Sequence, residues 1–236
     1  AASDPLATYE INFLGTLNLL EALKTCGFAG RLLYVSSGDV YGRVSTGDLP
    51  VREDHPVHPR NPYAVSKAAA ELLCSQWTLA HDFEIVIARP FNHIGPGQAA
   101  WFVVSDFARQ IVEIKVGMRE AEIRVGSIDV TRDFTDVRDI VRAYLLLFEG
   151  GRCGEIYNIC SDKEKAIRGV LEELLRLSKV DCRIITEAAR IRPTEQTRMR
   201  GSYAKLQREV GWEPGTDIVQ SLQDVLTYWE NRLKHG

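Results

Sequence analysis

A tyrosine and a lysine four residues apart are the residues in this sequence best suited to moving a proton. Tyr63 and Lys67 lie in the run Tyr-Ala-Val-Ser-Lys, and four residues make about one helical turn, so both side chains share a helix face. A phenol has a pKa near 10 and exchanges protons poorly at neutral pH. A nearby ammonium favours the phenolate and makes the tyrosine a usable general acid or base. The alternative is a surface pair on an amphipathic helix.

A serine upstream of this pair could act on the same substrate atom. Ser37 ends the apolar run Arg-Leu-Leu-Tyr-Val-Ser-Ser, which is typical of a buried parallel strand. Ligands of open α/β sheets bind outside the carboxyl ends of such strands, so the hydroxyl of Ser37 could polarise a carbonyl beside Tyr63. The alternative for a Ser-Ser pair here is a turn or a helix cap. The strand, the serine and the Tyr-Lys pair in this order are more specific than any one of them.

The elements that must position these residues can be predicted from periodicity and from glycine and proline positions. The first ninety residues alternate between helix and strand, and Pro62 stands where a helix would begin. That alternation predicts a doubly wound α/β sheet. The predicted elements are helices at 8–24 and 63–81 and strands at 31–37 and 84–89.

The second half of the chain is less regular, and the change of pattern places a domain boundary near residues 95–120. The predicted helices are 101–116, 136–148, 166–178, 204–210 and 218–233, and the predicted strands are 122–125, 155–160 and 183–186.

Composition excludes several classes of protein. The chain has 29 basic and 32 acidic residues, a net charge of −3, so no nucleic-acid footprint is expected. No apolar run reaches the length of a membrane span, and no export signal opens the sequence. The five cysteines are scattered without a Cys-x-x-Cys pair, which argues against a disulfide scaffold or a metal site. We therefore expect a soluble cytoplasmic protein without a metal.

With these motifs the chain resembles the extended, nucleotide-sugar-modifying branch of the short-chain dehydrogenase/reductase superfamily. Within that branch the likeness is greatest to reductases of GDP-4-keto-6-deoxy-D-mannose, and GDP-mannose 4,6-dehydratases are near neighbours. The matching segments run in order along the chain: Asn12-x-x-Gly15-Thr16-x-Asn18-Leu-Leu-Glu-Ala22, Val35-Ser-Ser-Gly-Asp-Val-Tyr-Gly42, Pro62-Tyr-Ala-Val-Ser-Lys67, Arg89-Pro-Phe-Asn-His-Ile-Gly-Pro-Gly97, Arg132-Asp-Phe-Thr-Asp-Val-Arg-Asp139, Arg192-Pro-Thr-Glu195 and Leu206…Gly211-Trp-Glu-Pro214.

The resemblance implies roles for residues near the reacting carbon. Tyr63 would be the proton donor, and Lys67 would tune it and hold the nicotinamide ribose. Ser37 would bond the sugar near that carbon, and Asp39 would stand at the position of a catalytic acid. Asn12 would support the architecture of the site.

It also implies roles for residues further along the chain. The segment from Pro90 to His93 would lie beside the nicotinamide, and Asn92 would reach the diphosphate or the sugar. Arg132 and Arg192 resemble phosphate-binding arginines, a task suited to a planar and permanently charged fork. Glu195 would accept hydrogen bonds from the nucleotide ribose.

The activity implied is reduction of the 4-keto group of GDP-4-keto-6-deoxy-D-mannose to GDP-D-rhamnose with NADPH or NADH. Dehydratases of dTDP-sugars carry an Asp-Glu pair where this chain has Gly38 and Asp39, and GDP-mannose dehydratases carry Glu at the second position. Both departures favour a reductase. The alternatives are a dehydratase or epimerase of the same branch and a non-catalytic structural or regulatory homologue.

The resemblance further implies a Rossmann-type sheet whose Gly-rich turn cradles the pyrophosphate, and the sequence holds no such turn. We therefore expect the N-terminal strands of that sheet to be missing from this chain, which would be a portion of a longer protein. Residues 1–100 would be a partial dinucleotide-binding domain. Residues 101–236 would mainly form a smaller α/β substrate domain, with segments returning to the first sheet. The strands at 31–36 and 84–89 should be parallel neighbours. The helices at 8–24 and 63–81 would pair across a two-fold axis, which gives a homodimer.

Overall fold

The chain forms two compact units, each assembled from segments that are separate in sequence. The computed structural model describes residues 4–81, 83–191 and 196–235. The first unit comprises the chain up to Phe91 together with Ile140–Asp162 and Arg200–Glu213. The second comprises Asn92–Asp139, Lys163–Met199 and the chain from Pro214 onward. The functions expected of residues 1–100 and 101–236 stay predictions.

Helices and strands alternate along most of the described chain. The helices are α1 (Pro5–Tyr9), α2 (Gly15–Thr25), α3 (Pro62–Ala80), α4 (Val103–Lys115), α5 (Val137–Gly150), α6 (Ile167–Ser178), α7 (Ala204–Val210) and α8 (Ile218–His235), with a π-helical turn at Glu10–Leu14 between α1 and α2. The strands are β1 (Arg31–Val35), β2 (Glu84–Pro90), β3 (Asn92–Ile94), β4 (Glu122–Val125), β5 (Thr131–Asp136), β6 (Ile156–Ile159), β7 (Glu164–Ala166) and β8 (Arg183–Thr186).

The first unit contains a parallel sheet in which the described strands have the order β1-β2-β6. Leu33 of β1 pairs with Val86 of β2, and Ala88 of β2 pairs with Tyr157 of β6. The prediction that the first two strands are parallel neighbours is therefore confirmed. Every residue of β2 after Glu84 is buried, as expected for a strand with helices on both faces.

Successive side chains of β2 enter two different cores, because side chains alternate across a strand. Ile85 and Ile87 pack in a cluster with residues of α2 and α3, including Leu20 and Trp77. Val86 and Ala88 pack in another cluster with residues of α5 and α7 and with the tryptophan at position 212. The sheet of the first unit is thus the middle layer of three.

Helix α3 begins where the sequence predicted. Pro62 is the first helical residue, and its ring fixes a backbone angle suited to a helix start. Asn61 caps the helix, since its Oδ1 accepts a hydrogen bond of 2.8 Å from the amide of Ala64. The first turn, which carries Tyr63, is therefore fixed locally by its own sequence.

A buried ion pair ties α3 to β2. Arg89 donates from Nε to Oε1 of Glu71 at 2.9 Å and from Nη2 to Oε2 at 2.6 Å, and both residues are less than 5% exposed. Two parallel bonds of this kind fix an orientation as well as a distance. The pair therefore sets how α3 lies along the sheet.

The second unit has its own core between helices and short strands. Strand β5 is parallel to β3 and antiparallel to β7, and β4 pairs with β8 in parallel. Helices α4, α6 and α8 cover one continuous apolar cluster that includes Phe107, Leu171 and Leu222.

Three strands of this second unit, β3, β5 and β7, were not predicted from the sequence. Strands β3 and β7 have three residues each, which is too short for a period to show. Strand β5 has the polar sequence Thr-Arg-Asp-Phe-Thr-Asp, although its last four residues are buried. The helix predicted from residue 136 begins one residue later, after this strand. A strand of polar residues shows no alternation of apolar side chains, so its burial against distant segments cannot be predicted from the sequence pattern.

None of the helices in the described part of the chain is long and apolar enough to cross a membrane.

The buried ion pair gives a first test. Glu71→Gln should lower the free energy of unfolding by about 3 kcal/mol or more, because it leaves the buried guanidinium of Arg89 without its countercharge. The matched control is Glu84→Gln, which removes the partner of Arg31 from a pair whose glutamate is 55% exposed. That change should cost less than about 1 kcal/mol. Urea unfolding followed by circular dichroism measures both, and equal losses would contradict the role given to the buried pair.

Candidate active site

The carboxyl end of β1 leads into a tight turn that presents Ser37. Ser37 caps a single 3₁₀ turn, Gly38–Tyr41, and its Oγ accepts a hydrogen bond of 3.2 Å from the amide of Asp39. The sequence left a cap and a functional hydroxyl as alternatives. The structure shows the cap, and Ser37 lies close enough to Tyr63 to lower the pKa of its phenol, whereas its action on a substrate carbonyl stays a prediction.

A phenylalanine ring restricts the residue that follows Ser37. A Cβ added at Gly38 would lie 3.0 Å from the ring of Phe91, and a Cβ added at Gly201 would lie 2.6 Å from the same ring. A side chain at position 38 would be in tight contact with this ring, and one at position 201 would overlap it and would also lie 2.8 Å from Sγ of Cys160. An aspartate at position 38, as in dTDP-sugar dehydratases, would require the ring of Phe91 to shift by a few tenths of an ångström.

Tyr63 is half-buried in the first turn of α3. Burial raises the pKa of its phenol above the ordinary value, the hydrogen bond with Ser37 opposes that rise, and the carboxylate of Asp39 adds to it. At neutral pH Tyr63 is therefore protonated and hydrogen-bonded, which suits a proton donor.

Lys67 follows one turn later on the same face of α3, as the spacing predicted. Its Nζ donates a 2.9 Å hydrogen bond to the carbonyl oxygen of Val35 and lies 5.3 Å from the ring centroid of Tyr34 and 5.9 Å from that of Tyr63. Burial lowers the pKa of Lys67. The sequence predicted that Lys67 would bring the pKa of Tyr63 down. The structure differs, because desolvation is the dominant effect on the phenol.

Asn12 supports the start of α3 from the π-helical turn. Its Nδ2 donates to Oγ of Ser66 at 3.0 Å, and that hydroxyl donates to the backbone carbonyl of Tyr63 at 2.8 Å. π-helical turns inside α-helices occur often at functional sites. The geometry agrees with a supporting place for Asn12, and its role in the reaction stays a prediction.

The remaining predicted residues lie on other elements. Pro90 is the buried last residue of β2 in the first unit, whereas Asn92 and His93 open β3 in the second unit. Asn92 is exposed and His93 is half-buried. Their proposed contacts with the cofactor and the sugar nucleotide stay predictions.

Of the two arginines predicted to bind phosphate, Arg132 lies on β5. It is half-buried, and its Nη1 donates to the carbonyl oxygens of Thr131 at 2.7 Å and Gln196 at 2.8 Å. Arg192 and Glu195 lie outside the described residues. The nucleotide contacts of all three stay predictions.

Residue types alone did not reveal every residue near the site. Tyr34 is buried beneath the ammonium of Lys67, and Tyr41, at the end of the turn that begins at Ser37, accepts a hydrogen bond from Arg89 at 2.9 Å. Arg89 follows four apolar residues of a predicted buried strand, and a charged residue in that position could have been predicted to have a buried partner.

The described arrangement supports acid–base chemistry on a carbonyl. One protonated phenol, one hydroxyl and one ammonium lie together at the end of a parallel strand, where such sheets bind ligands. Within residues 4–81, 83–191 and 196–235, the structure shows no group of three or more His, Cys, Asp or Glu side chains that could hold a metal ion.

Comparisons with known proteins give the family. Residues 1–225 match the family described as GDP-mannose 4,6 dehydratase. The chain is 50% identical to GDP-6-deoxy-D-mannose reductase from Pseudomonas aeruginosa, over 99% of this chain and 77% of that protein. It is 26% identical to GDP-mannose 4,6 dehydratase from Homo sapiens, over 93% of this chain and 63% of that protein.

The fold agrees with this relationship. A solved structure of RMD from Pseudomonas aeruginosa complexed with NADPH matches with a TM-score of 0.94 and 50% identity, over 98% of this chain and 77% of that one. The chain therefore has the α/β fold of NAD(P)-binding short-chain dehydrogenases, and it belongs to the GDP-mannose 4,6 dehydratase family within the extended branch of that superfamily.

Proposed function

We propose that this protein reduces the 4-keto group of GDP-4-keto-6-deoxy-D-mannose to give GDP-D-rhamnose, with NADPH as the reductant. The observation that carries the proposal is the 50% identity to a GDP-6-deoxy-D-mannose reductase over 99% of the chain. The arrangement of Ser37, Tyr63 and Lys67 supports it, because reduction of a ketone needs a proton donor beside the carbonyl oxygen.

The chain's own residues supply the proton and polarise the carbonyl. Ser37 donates a hydrogen bond to the ketone oxygen, and Tyr63 transfers its phenolic proton to that oxygen as negative charge develops on it. NADPH, when bound, would supply the hydride to C4 of the sugar. The ammonium of Lys67 stabilises the phenolate that remains.

Lys67 also fits the cofactor that the reaction needs. An ammonium has three donors, and the hydrogen bond to the carbonyl of Val35 uses one of them, so the same group can hold ribose hydroxyls of a nicotinamide nucleotide. Tyr63, Pro90 and His93 would complete the part of the cofactor site carried by these residues. The Pseudomonas aeruginosa relative was solved with NADPH, which favours NADPH over NADH.

The residues predicted to bind the sugar nucleotide belong to the second unit. We propose that Asn92, Arg132, Arg192 and Glu195 bind the sugar nucleotide. A guanidinium fork suits a diphosphate, and the bonds of Arg132 to two backbone carbonyls would hold its fork in a fixed orientation.

The first unit would be part of a Rossmann-type doubly wound sheet that continues beyond β1, and the second a smaller α/β substrate domain. β1 has a hydrogen-bonded neighbour on one edge among the described strands, and Leu33 and Val35 are incompletely buried. Further strands beyond that edge would cover these side chains.

We also propose a homodimer built on α2, α3 and the π-helical turn. Ile11, Leu72 and Leu79 expose 73%, 72% and 89% of their surface, and large apolar side chains exposed to this extent on neighbouring helices favour a protein partner. A two-fold axis would pair these helices with their copies in a four-helix bundle.

The proton donor can be tested by substitution. Tyr63→Phe should lower kcat by about 100-fold or more and leave NADPH affinity nearly unchanged, because it removes the proton and little else. The loss of kcat/KM that the wild type shows as pH rises through the pKa of Tyr63 should disappear with it. Lys67→Met should weaken both turnover and NADPH binding. Near-normal turnover in Tyr63→Phe, measured by NADPH absorbance, would exclude this role.

The reaction class can be tested with two substrates. GDP-4-keto-6-deoxy-D-mannose should consume one equivalent of NADPH per GDP-D-rhamnose formed, because each ketone accepts one hydride. Gly38 stands where dTDP-sugar dehydratases carry Asp, and Asp39 stands where dehydratases carry the longer Glu, so dehydration should be slow. GDP-mannose alone should give little 4-keto product. Rapid dehydration of GDP-mannose without added reductant would move the assignment to a dehydratase, for which Asp39 beside Tyr63 is the candidate acid.

The dimer can be tested by light scattering. Leu72→Asp should shift the protein from dimer to monomer, since it buries a charge at the centre of the proposed contact. Val219→Asp on α8, also at a partly exposed apolar position, is the control and should leave the mass unchanged. A wild-type monomer, or dissociation by both variants, would argue against this contact.

A further inference from the structure

One buried guanidinium links the two elements that carry the catalytic residues. Arg89 holds Glu71 of α3 through Nε and Nη2, and its Nη1 donates a 2.9 Å hydrogen bond to the phenolic oxygen of Tyr41. Glu71 lies eight residues after Tyr63, about two turns further along α3. Arg89 thus acts on the helix that carries Tyr63.

The other end of the link reaches Ser37. Tyr41 is the last residue of the 3₁₀ turn that Ser37 caps, and its side chain is completely buried. Its hydroxyl accepts from Arg89 and donates to Oδ1 of Asn158 on β6 at 2.7 Å. The far end of the turn that presents Ser37 is therefore hydrogen-bonded to Arg89. The same arginine is bonded to Glu71 of α3.

We infer that Arg89 and Tyr41 are positioning residues, which set the hydroxyl of Ser37 against the phenol of Tyr63. This inference rests on the proposed reductase function. Both residues are buried, and their hydrogen bonds run to Glu71, Glu53, Asn158 and each other. Proton transfer needs donor and acceptor within hydrogen-bonding distance, and a displacement of about 1 Å can cost on the order of 100-fold in rate.

Several groups face Tyr63, and the hydrogen bond between Arg89 and Tyr41 positions one of them, Ser37. Asp39 acts from the turn, Lys67 from α3 itself, and Tyr144 of α5 is close enough to interact electrostatically. Ser37 is the group whose hydrogen bond lowers the pKa of Tyr63. A displaced Ser37 should therefore raise that pKa and move the alkaline limb of the activity profile to higher pH.

The test is Tyr41→Phe, which removes one buried hydroxyl and keeps the ring. We expect kcat to fall by about 10-fold while the KM for the sugar nucleotide changes less than about 3-fold, with the alkaline limb shifted upward. The matched control is Tyr157→Phe. Tyr157 is also completely buried in the first unit, and its hydroxyl bonds to Glu209 and to the amide of Arg152, away from Ser37. This control should keep kcat and the pH profile of the wild type. An equal fall of kcat in both variants would overturn the inference.

A spectroscopic measurement separates this inference from the proposed activity. In protein with isotope-labelled tyrosine, the Cζ resonance of Tyr63, assigned by its loss in Tyr63→Phe, should move in Tyr41→Phe and stay in Tyr157→Phe. If the wild type fails to reduce the keto sugar, the proposed function is lost, and this resonance still tests the positioning. An unmoved resonance in Tyr41→Phe would overturn the inference whatever the activity.

A double variant separates positioning from stability. In Tyr41→Phe, Oδ1 of Asn158 loses the hydroxyl that donates to it and is left buried without that hydrogen bond. Adding Asn158→Leu removes this acceptor, so thermal stability should recover in part. The kcat and the Tyr63 resonance should stay at the values of the single variant. Recovery of kcat together with stability would show that Tyr41 acts only through folding and would overturn the inference.

Discussion

The contact between Arg89 and Glu71 is the constraint on which the first unit depends. A charge buried in the protein interior must be paired and fully hydrogen-bonded, so each element that contributes to the pair is restricted in where it can lie. Here β2 contributes the cation and α3 the anion, and the turn after β1 joins them through Tyr41. The apolar clusters on the two faces of the sheet supply most of the cohesion, and this polar contact selects one register among many that such clusters would allow.

The sequence predicted what is encoded locally. The start of α3 follows from Asn61 and Pro62, and the shared face of Tyr63 and Lys67 follows from helical geometry, so both depend only on residues within one or two turns of each other. The parallel pairing of β1 and β2 followed from the order of elements. The closeness of Ser37 to Tyr63, in contrast, depends on how two distant segments pack. The order of the motifs and the family resemblance placed both residues at one site, and periodicity alone could not.

What the sequence missed depends on partners distant along the chain. Strand β5 is polar in sequence and buried in structure, because its side chains and backbone pair with segments more than thirty residues away, such as β7. The pKa of Tyr63 is a similar case. Residue types suggested a tyrosine made more acidic by a lysine, but burial decides the direction of the shift, and burial is a property of the packed chain.

The ring of Phe91 couples positions that sequence numbering keeps far apart. It fills the space that a side chain at position 38 or position 201 would need, so neither glycine can be enlarged while the ring stays where it is. Laboratory evolution toward a different reaction on this scaffold, for example by placing a carboxylate directly after Ser37, therefore requires the ring of Phe91 to shift when position 38 is enlarged. A library that varies position 38 should therefore vary residue 91 with it, whereas enlarging position 201 also requires room beside Cys160.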